Sequence, residues 1–171
     1  MFKSPTRKAW QTLLVAAPLT ERLIMFKHLL LPIDGSDLSL MATRKAAEFA
    51  SETKARITIL FVKPEYPVSY YGDGAMIDPT PPDEFGKLTT AIAHRNLKAA
   101  EEICASAGVT TTTVTETSDV PYEVIVQTAE DKACDLIFMA SHGRRGISGL
   151  LLGSETQKVL THSKIPVLVY R

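Results

Sequence analysis

The chain has 171 residues, 45% of them hydrophobic and 22% charged, the size and balance of a single globular domain with one core. Lysine and arginine together number 19, as do aspartate and glutamate, so the formal charge of +0 provides no field to recruit nucleic acid or a strongly charged partner. Cys104 and Cys134 lack CxxC or Cys/His spacing, which argues against zinc or a redox dithiol and fits reduced, mostly buried thiols in a reducing, cytoplasmic compartment.

Residues 1–24 read as an extension outside the domain. Lys3, Arg7 and Lys8 precede Leu13-Leu14-Val15-Ala16-Ala17, a crude signal-peptide shape. Pro18, Thr20, Glu21 and Arg22 interrupt it, and the apolar run is too short to span a membrane. A targeting segment and an amphipathic arm are the other readings of this stretch.

The domain, 25–171, opens with the apolar run Leu29-Leu30-Leu31-Pro32-Ile33, which predicts a strand. A helix follows, with Leu38, Ala42, Ala46 and Phe49 at helical spacing and Ser36 or Asp37 as its cap. Ile57 to Val62 predicts the second strand. The segment from Lys63 to Gly86, rich in proline and glycine, reads as a long irregular loop, with Tyr66, Tyr70 and Tyr71 either stacking on a ligand or facing solvent. Leu88, Ile92, Ala99 and Ile103 predict the next helix, with Gly108 as its C-cap candidate. The threonine-rich run Val109 to Thr117 suits a poorly covered edge strand. Tyr122, Ile125, Ala129 and Ala133 mark a third helix with Pro121 in its first turn. Leu136 to Ala140 is a fourth strand, and Ser154 with Gln157 has capping-box spacing for a fourth helix. Ile165 to Tyr170 is the last strand. This β-α-β-α-β-α-β-α-β order, with near-continuous apolar strands, predicts a parallel sheet covered by helices on both faces.

Ligands of open parallel sheets bind beyond the carboxyl ends of strands, where the strand order reverses. Two strand ends carry suitable turn chemistry. The first is Pro32-Ile33-Asp34-Gly35-Ser36; Asp34 is placed to accept hydrogen bonds from a ribose or base, to cap the helix behind it, or to do both. The second is Ala140-Ser141-His142-Gly143-Arg144-Arg145-Gly146, continuing to Gly153-Ser154-Glu155-Thr156. A glycine-containing loop before a helix start is a phosphate cradle, because glycine lets the backbone approach and helix-start N–H groups point at the anion. Arg144 and Arg145 add charge-assisted donors, or are solvated loop charge. Ser154 and Thr156 offer hydroxyls and N–H groups. Glu155 brings a negative charge near the same place, turned outward or toward a divalent cation. His142 reads as a loop-structuring or ligand-contact residue. No Walker A loop, dinucleotide fingerprint or nucleophile elbow is present, and without a catalytic lysine or base rapid phosphoryl transfer is not supported.

Together these residues resemble the universal stress protein family. Its nucleotide-binding members carry Gly-x2-Gly-x9-Gly-Ser/Thr; here Gly143, nine intervening residues, Gly153 and Ser154 match, and Ala140 replaces the first glycine. The start, Phe26 to Ser36, and the end, Ser163 to Val169, are also similar to the family, and the similarity spans Met25 to Arg171. The resemblance implies an open, Rossmann-like five-stranded sheet of order 3-2-1-4-5, with ATP or a related adenine nucleotide, with or without Mg2+, at the switch point. By position, Pro32, Ile33, Asp34 and Val62 would border adenine and ribose. Ala140 through Gly146 and Gly153 through Thr156 would surround ribose and phosphates. The resemblance also implies a homodimer through 165–170. The function it implies is an ATP-binding stress-response protein working as a nucleotide-dependent switch or binding module toward unnamed protein partners, without nucleic acid or membrane. The alternatives are slow ATP hydrolysis or autophosphorylation on Ser141, Ser154 or Thr156, and a nucleotide-free dimeric interaction protein, which Ala140 and Glu155 would favour.

Overall fold

The computed structural model describes residues 26–71, 74–77, 80–143 and 152–171. Along the chain run β1 (His28–Ile33), α1 (Asp37–Thr53), β2 (Arg56–Lys63), β3 (Val68–Tyr71), β4 (Gly74–Ile77), α2 (Pro82–Ser106), β5 (Thr111–Thr117), α3 (Pro121–Asp131), β6 (Leu136–Ala140), α4 (Ser154–His162) and β7 (Val167–Tyr170). The main sheet has the order β5-β2-β1-β6-β7, and every pairing in it is parallel. Counting its strands alone, that is the expected 3-2-1-4-5. Among the described residues no helix is long and apolar enough to cross a membrane.

Alternation along the strands makes two cores. Leu29, Leu31, Ile57, Ile59, Phe61, Leu136 and Phe138 pack with α1 and α2, where Ala42, Ala46 and Ala50 recur every four residues. Those small side chains let α1 lie close to the sheet. Leu30, Leu60, Ile137 and Met139 face the other way, against Ile125 and Ala129 of α3 and Val159 of α4. A strand covered on both faces has no polar face, which is why its sequence reads as an unbroken apolar run. The threonine-rich β5 does lie at an edge, and most of its side chains are exposed. Cys104 and Cys134 are buried, and that burial pushes each thiol up to about 11.

Two local expectations need correction. The stretch 63–86 is not one irregular loop: β3 and β4 form an antiparallel hairpin within it, and α2 begins at Pro82. Val68-Ser69-Tyr70-Tyr71 has the β-branched and aromatic residues of a strand, and Pro82 is a helix-starting proline rather than a loop residue. At α4, Ser154 is not an N-cap. Gly153 takes that position with extended backbone, φ −70° and ψ 156°, and no side chain caps the helix. Elsewhere Ser36 caps α1, accepting from the Ser39 N–H at 3.2 Å, and Pro121 opens α3.

Candidate functional site

The sheet's order reverses between β1 and β6, which pair through Leu29 with Leu136 and Leu30 with Ile137. Their connections leave in opposite directions, to β2 and to β7, and leave a crevice beyond the carboxyl ends. The two loops meet there. A methyl group on Gly143 would fall 2.5 Å from Asp34 Oδ2 and 3.4 Å from its Cγ. Asp34 itself is fixed: its Oδ1 accepts from the Ser36 N–H at 3.0 Å and from the Ser36 hydroxyl at 2.7 Å. Asp34 therefore supports the α1 cap without being the cap.

The β6 loop is strapped to the start of α4 by backbone. The Gly153 N–H donates to the Ser141 carbonyl at 2.7 Å, and Thr156 Oγ1 donates to the Ala140 carbonyl at 3.1 Å. A methyl on Gly153 would lie 3.1 Å from His142 Cα and 3.3 Å from the Ser141 carbonyl oxygen, so glycine permits this approach. Ser141 is buried; its N–H donates to the Tyr170 carbonyl at 2.7 Å, and its hydroxyl sits 3.1 Å from His142 Nδ1. Above this strap lies the first turn of α4, with the N–H groups of Ser154, Glu155 and Thr156. First-turn N–H groups have no acceptor within their own helix, and here no side chain supplies one. That geometry suits an anion.

Two features that set the site in tension with a bound anion resolve favourably. Ala140 is an ordinary last strand residue, paired with Tyr170. Among the described non-glycine residues only Lys54 and Ala133 have positive φ, so alanine in place of glycine carries no backbone strain at 140. The Glu155 carboxylate is engaged by α3 and by Lys158. Its Oε2 accepts from the Tyr122 N–H in the first turn of α3 at 2.9 Å, and its Oε1 pairs with Lys158 Nζ at 2.8 Å. Glu155 thus caps α3, which has no cap of its own.

Of the other expected residues, Pro32 and Val62 are half-buried; by strand alternation both fall on the α3/α4 side of the sheet, near its carboxyl end. Ile33 points its side chain into the core under α1 and α2, leaving its backbone to face the crevice. His142 is half-buried. Arg144, Arg145 and Gly146 lie outside the described residues. One residue that sequence reasoning missed is Asn96 of α2. Its side chain packs so closely on Gly35 that a Cβ there would overlap it, and its Nδ2 donates to the Ile92 carbonyl at 2.9 Å. It stands some sixty residues from Asp34 on another helix, with no motif to mark it. Among the described residues no group of three or more His, Cys, Asp or Glu side chains is placed to hold a metal ion.

The universal stress protein family model matches residues 25–171. The universal stress protein YxiE of Bacillus subtilis is 31% identical over 150 residues, covering 86% of this chain and all of its own length at 100%. Two solved structures share the fold. A universal stress protein in complex with cAMP aligns with a TM-score of 0.62 at 23% identity, over 85% of this chain and 97% of its own. One from Archaeoglobus fulgidus in complex with dAMP aligns with a TM-score of 0.59 at 18% identity, over 86% of this chain and 99% of its own.

Proposed function

The chain belongs to the universal stress protein family, and we propose that its β1–β6 crevice binds an adenine nucleotide, ATP, as a nucleotide-dependent switch. The observation that carries this reading is the uncapped start of α4, strapped by backbone to a loop that touches Asp34. Two fold neighbours were solved with adenine mononucleotides, dAMP and cAMP, which supports adenine as the base.

In this reading Pro32 and Val62 border the base, with the Ile33 backbone beside them, and Asp34 accepts from ribose hydroxyls. Gly143 gives the sugar room, while Ala140, Ser141, His142 and Gly146 shape the loop around it. Gly153, Ser154, Glu155 and Thr156 present N–H groups to the phosphates, since the Thr156 hydroxyl is already donated to Ala140 and the Glu155 carboxylate is engaged with α3. Arg144 and Arg145 add charge-assisted donors, and Mg2+ would bind with the phosphates. Nucleotide occupancy sets the conformation of the 141–153 segment, and that changes what a protein partner meets. The half-exposed edge strand β7 suits pairing with a second copy.

The nucleotide-free alternative loses its two motives, because Ala140 is unstrained and Glu155 faces α3. The test is mass spectrometry of small molecules released from the purified protein, with a thermal-shift titration of ATP. Saturation at about 100 times Kd stabilises a fold by about 2.7 kcal/mol. The absence of both released adenine nucleotide and an ATP-dependent shift would end the proposal.

A further inference from the structure

At the far end of the sheet from the crevice, His28 opens β1 and is only 7% exposed. Both ring nitrogens are engaged. Nε2 lies 2.8 Å from Thr58 Oγ1, and Nδ1 lies 3.1 Å from Arg56 Nη2. Thr58 Oγ1 is in turn 3.0 Å from Thr112 Oγ1 on β5. A guanidinium can only donate, so Nδ1 accepts and the ring proton sits on Nε2. The Thr58 hydroxyl, receiving from Nε2, shares a further bond with the Thr112 hydroxyl in which either oxygen can donate. A chain thus links Arg56, His28, Thr58 and Thr112 across three strands. The backbone of His28 ties in a fourth segment. Its N–H donates to Asp135 Oδ1 at 3.0 Å, its carbonyl accepts from the Asp135 N–H at 2.9 Å, and the Lys27 N–H donates to Asp135 Oδ2 at 2.8 Å.

We propose that His28 is a proton-operated latch: the neutral ring accepts from Arg56 and closes the chain across β1, β2 and β5, and protonation at Nδ1 expels the guanidinium. The step is a proton gained from solvent at Nδ1 and the loss of the Arg56 hydrogen bond. A proton on Nδ1 removes the lone pair that Arg56 uses and sets two cations face to face. The chain has one cheap exit, because Arg56 is exposed at the start of β2 while the ring is enclosed.

The charged groups around the ring oppose one another. Burial first, then the Arg56 guanidinium on β2, hold His28 below its usual 6.5. The Asp135 carboxylate and the carbonyls of Ala133 and Lys132 pull the other way. The Lys27 and Lys132 side chains are exposed, and burial pushes the Cys134 thiol up to about 11. Acid therefore releases Arg56 while the Asp135 ties to Lys27 and His28 persist, loosening the amino end of β1 and β2 alone.

The experiment is a proton NMR titration of the histidine ring signals from pH 8 to 4.5, with His28 assigned by loss of its signal in His28→Gln. Wild type should show a His28 midpoint below 6.5, and the Arg56 guanidinium signals should shift through the same midpoint. In Arg56→Met the midpoint should move up. A wild-type midpoint at or above 6.5, an Arg56 signal indifferent to pH, or a midpoint unmoved in Arg56→Met would overturn the latch. Amide exchange of the wild type gives a readout that needs no variant. Protection of Arg56, Ile57 and Thr58 should fall across the midpoint while that of Ala140 and Ser141 does not; a uniform change across the sheet would also overturn it.

Discussion

At the amino end of the sheet, His28, Thr58, Thr112, Arg56 and Asp135 use their polar atoms on one another. At the carboxyl end, Asp34 and Thr156 spend side-chain hydrogen bonds on holding backbone, and the start of α4 carries no side-chain cap. Both ends are rich in polar residues at strand termini. What separates a structural network from a candidate binding site is therefore the direction of the unused capacity. The amino end closes on itself. The carboxyl end leaves first-turn N–H groups and two close glycine approaches aimed at a shared space.

That comparison divides stability from affinity, and His28→Ala should break the amino end most severely. It opens a cavity in a buried site and strands Thr58 without its donor. The expected cost is about 2–4 kcal/mol of unfolding free energy, read by urea denaturation, with ATP affinity of the folded fraction unchanged. A matching loss of affinity would show that the two ends do not separate.

At the carboxyl end, Gly143→Ala and Gly153→Ala should do the reverse. The first places a methyl against the Asp34 carboxylate, which Ser36 holds in place; the second drives it into the backbone of Ser141 and His142. Each should weaken ATP binding at least tenfold, about 1.4 kcal/mol, by isothermal titration. Unfolding free energy should fall by less than in His28→Ala. Full ATP affinity in either folded variant would remove these glycines from the pocket.

How much of this contrast is legible in the sequence follows from which interactions are local. The alternation of strands and helices, the edge character of β5 and the glycine loop before α4 are carried by apolar runs, composition and short spacings, whereas the order of the strands in the sheet comes only with the family resemblance. The β3–β4 hairpin is not, because proline and glycine on either side of Val68–Tyr71 mask a four-residue strand. Capping of α4 is misread for a related reason. Ser154 and Gln157 have capping-box spacing, but the backbone bond from Gly153 to Ser141, between residues on different elements, moves the cap back by one position. The partner of Glu155 and the role of Asn96 are invisible for the same cause, since Tyr122 and Gly35 lie far away in the chain. No motif marks His28, and its hydrogen-bond chain appears only when three strands are laid side by side.

The pH dependence of stability sharpens the amino-end half. The folded state holds His28 below 6.5, first by burial and then by Arg56. Above 6.5 the ring is neutral in folded and unfolded chains alike, and its contribution is complete. As pH falls below 6.5 the unfolded chain takes the proton first, so stability drops until the lowered folded value is passed. Arg56→Met raises that folded value and should shrink the acid-side loss, measured as the slope of unfolding free energy between pH 7 and 5. An unchanged slope would mean that burial alone governs the ring.

The smallest effect tests the division from the other side. Glu155 stands in the sequence of the phosphate loop, yet its carboxylate serves α3 through the Tyr122 N–H and pairs with Lys158. Glu155→Gln keeps a weaker acceptor for Tyr122 and removes the charge. The Lys158 pair is exposed enough that solvent screening makes it worth little, so the loss is mainly that of a charged helix-start acceptor, about 0.3–1 kcal/mol of stability. ATP affinity should stay the same, because the carboxylate is already engaged by Tyr122 and Lys158. A large gain in affinity would mean that the carboxylate swings back toward the crevice when α3 does not hold it, and that the two helix starts compete for one side chain.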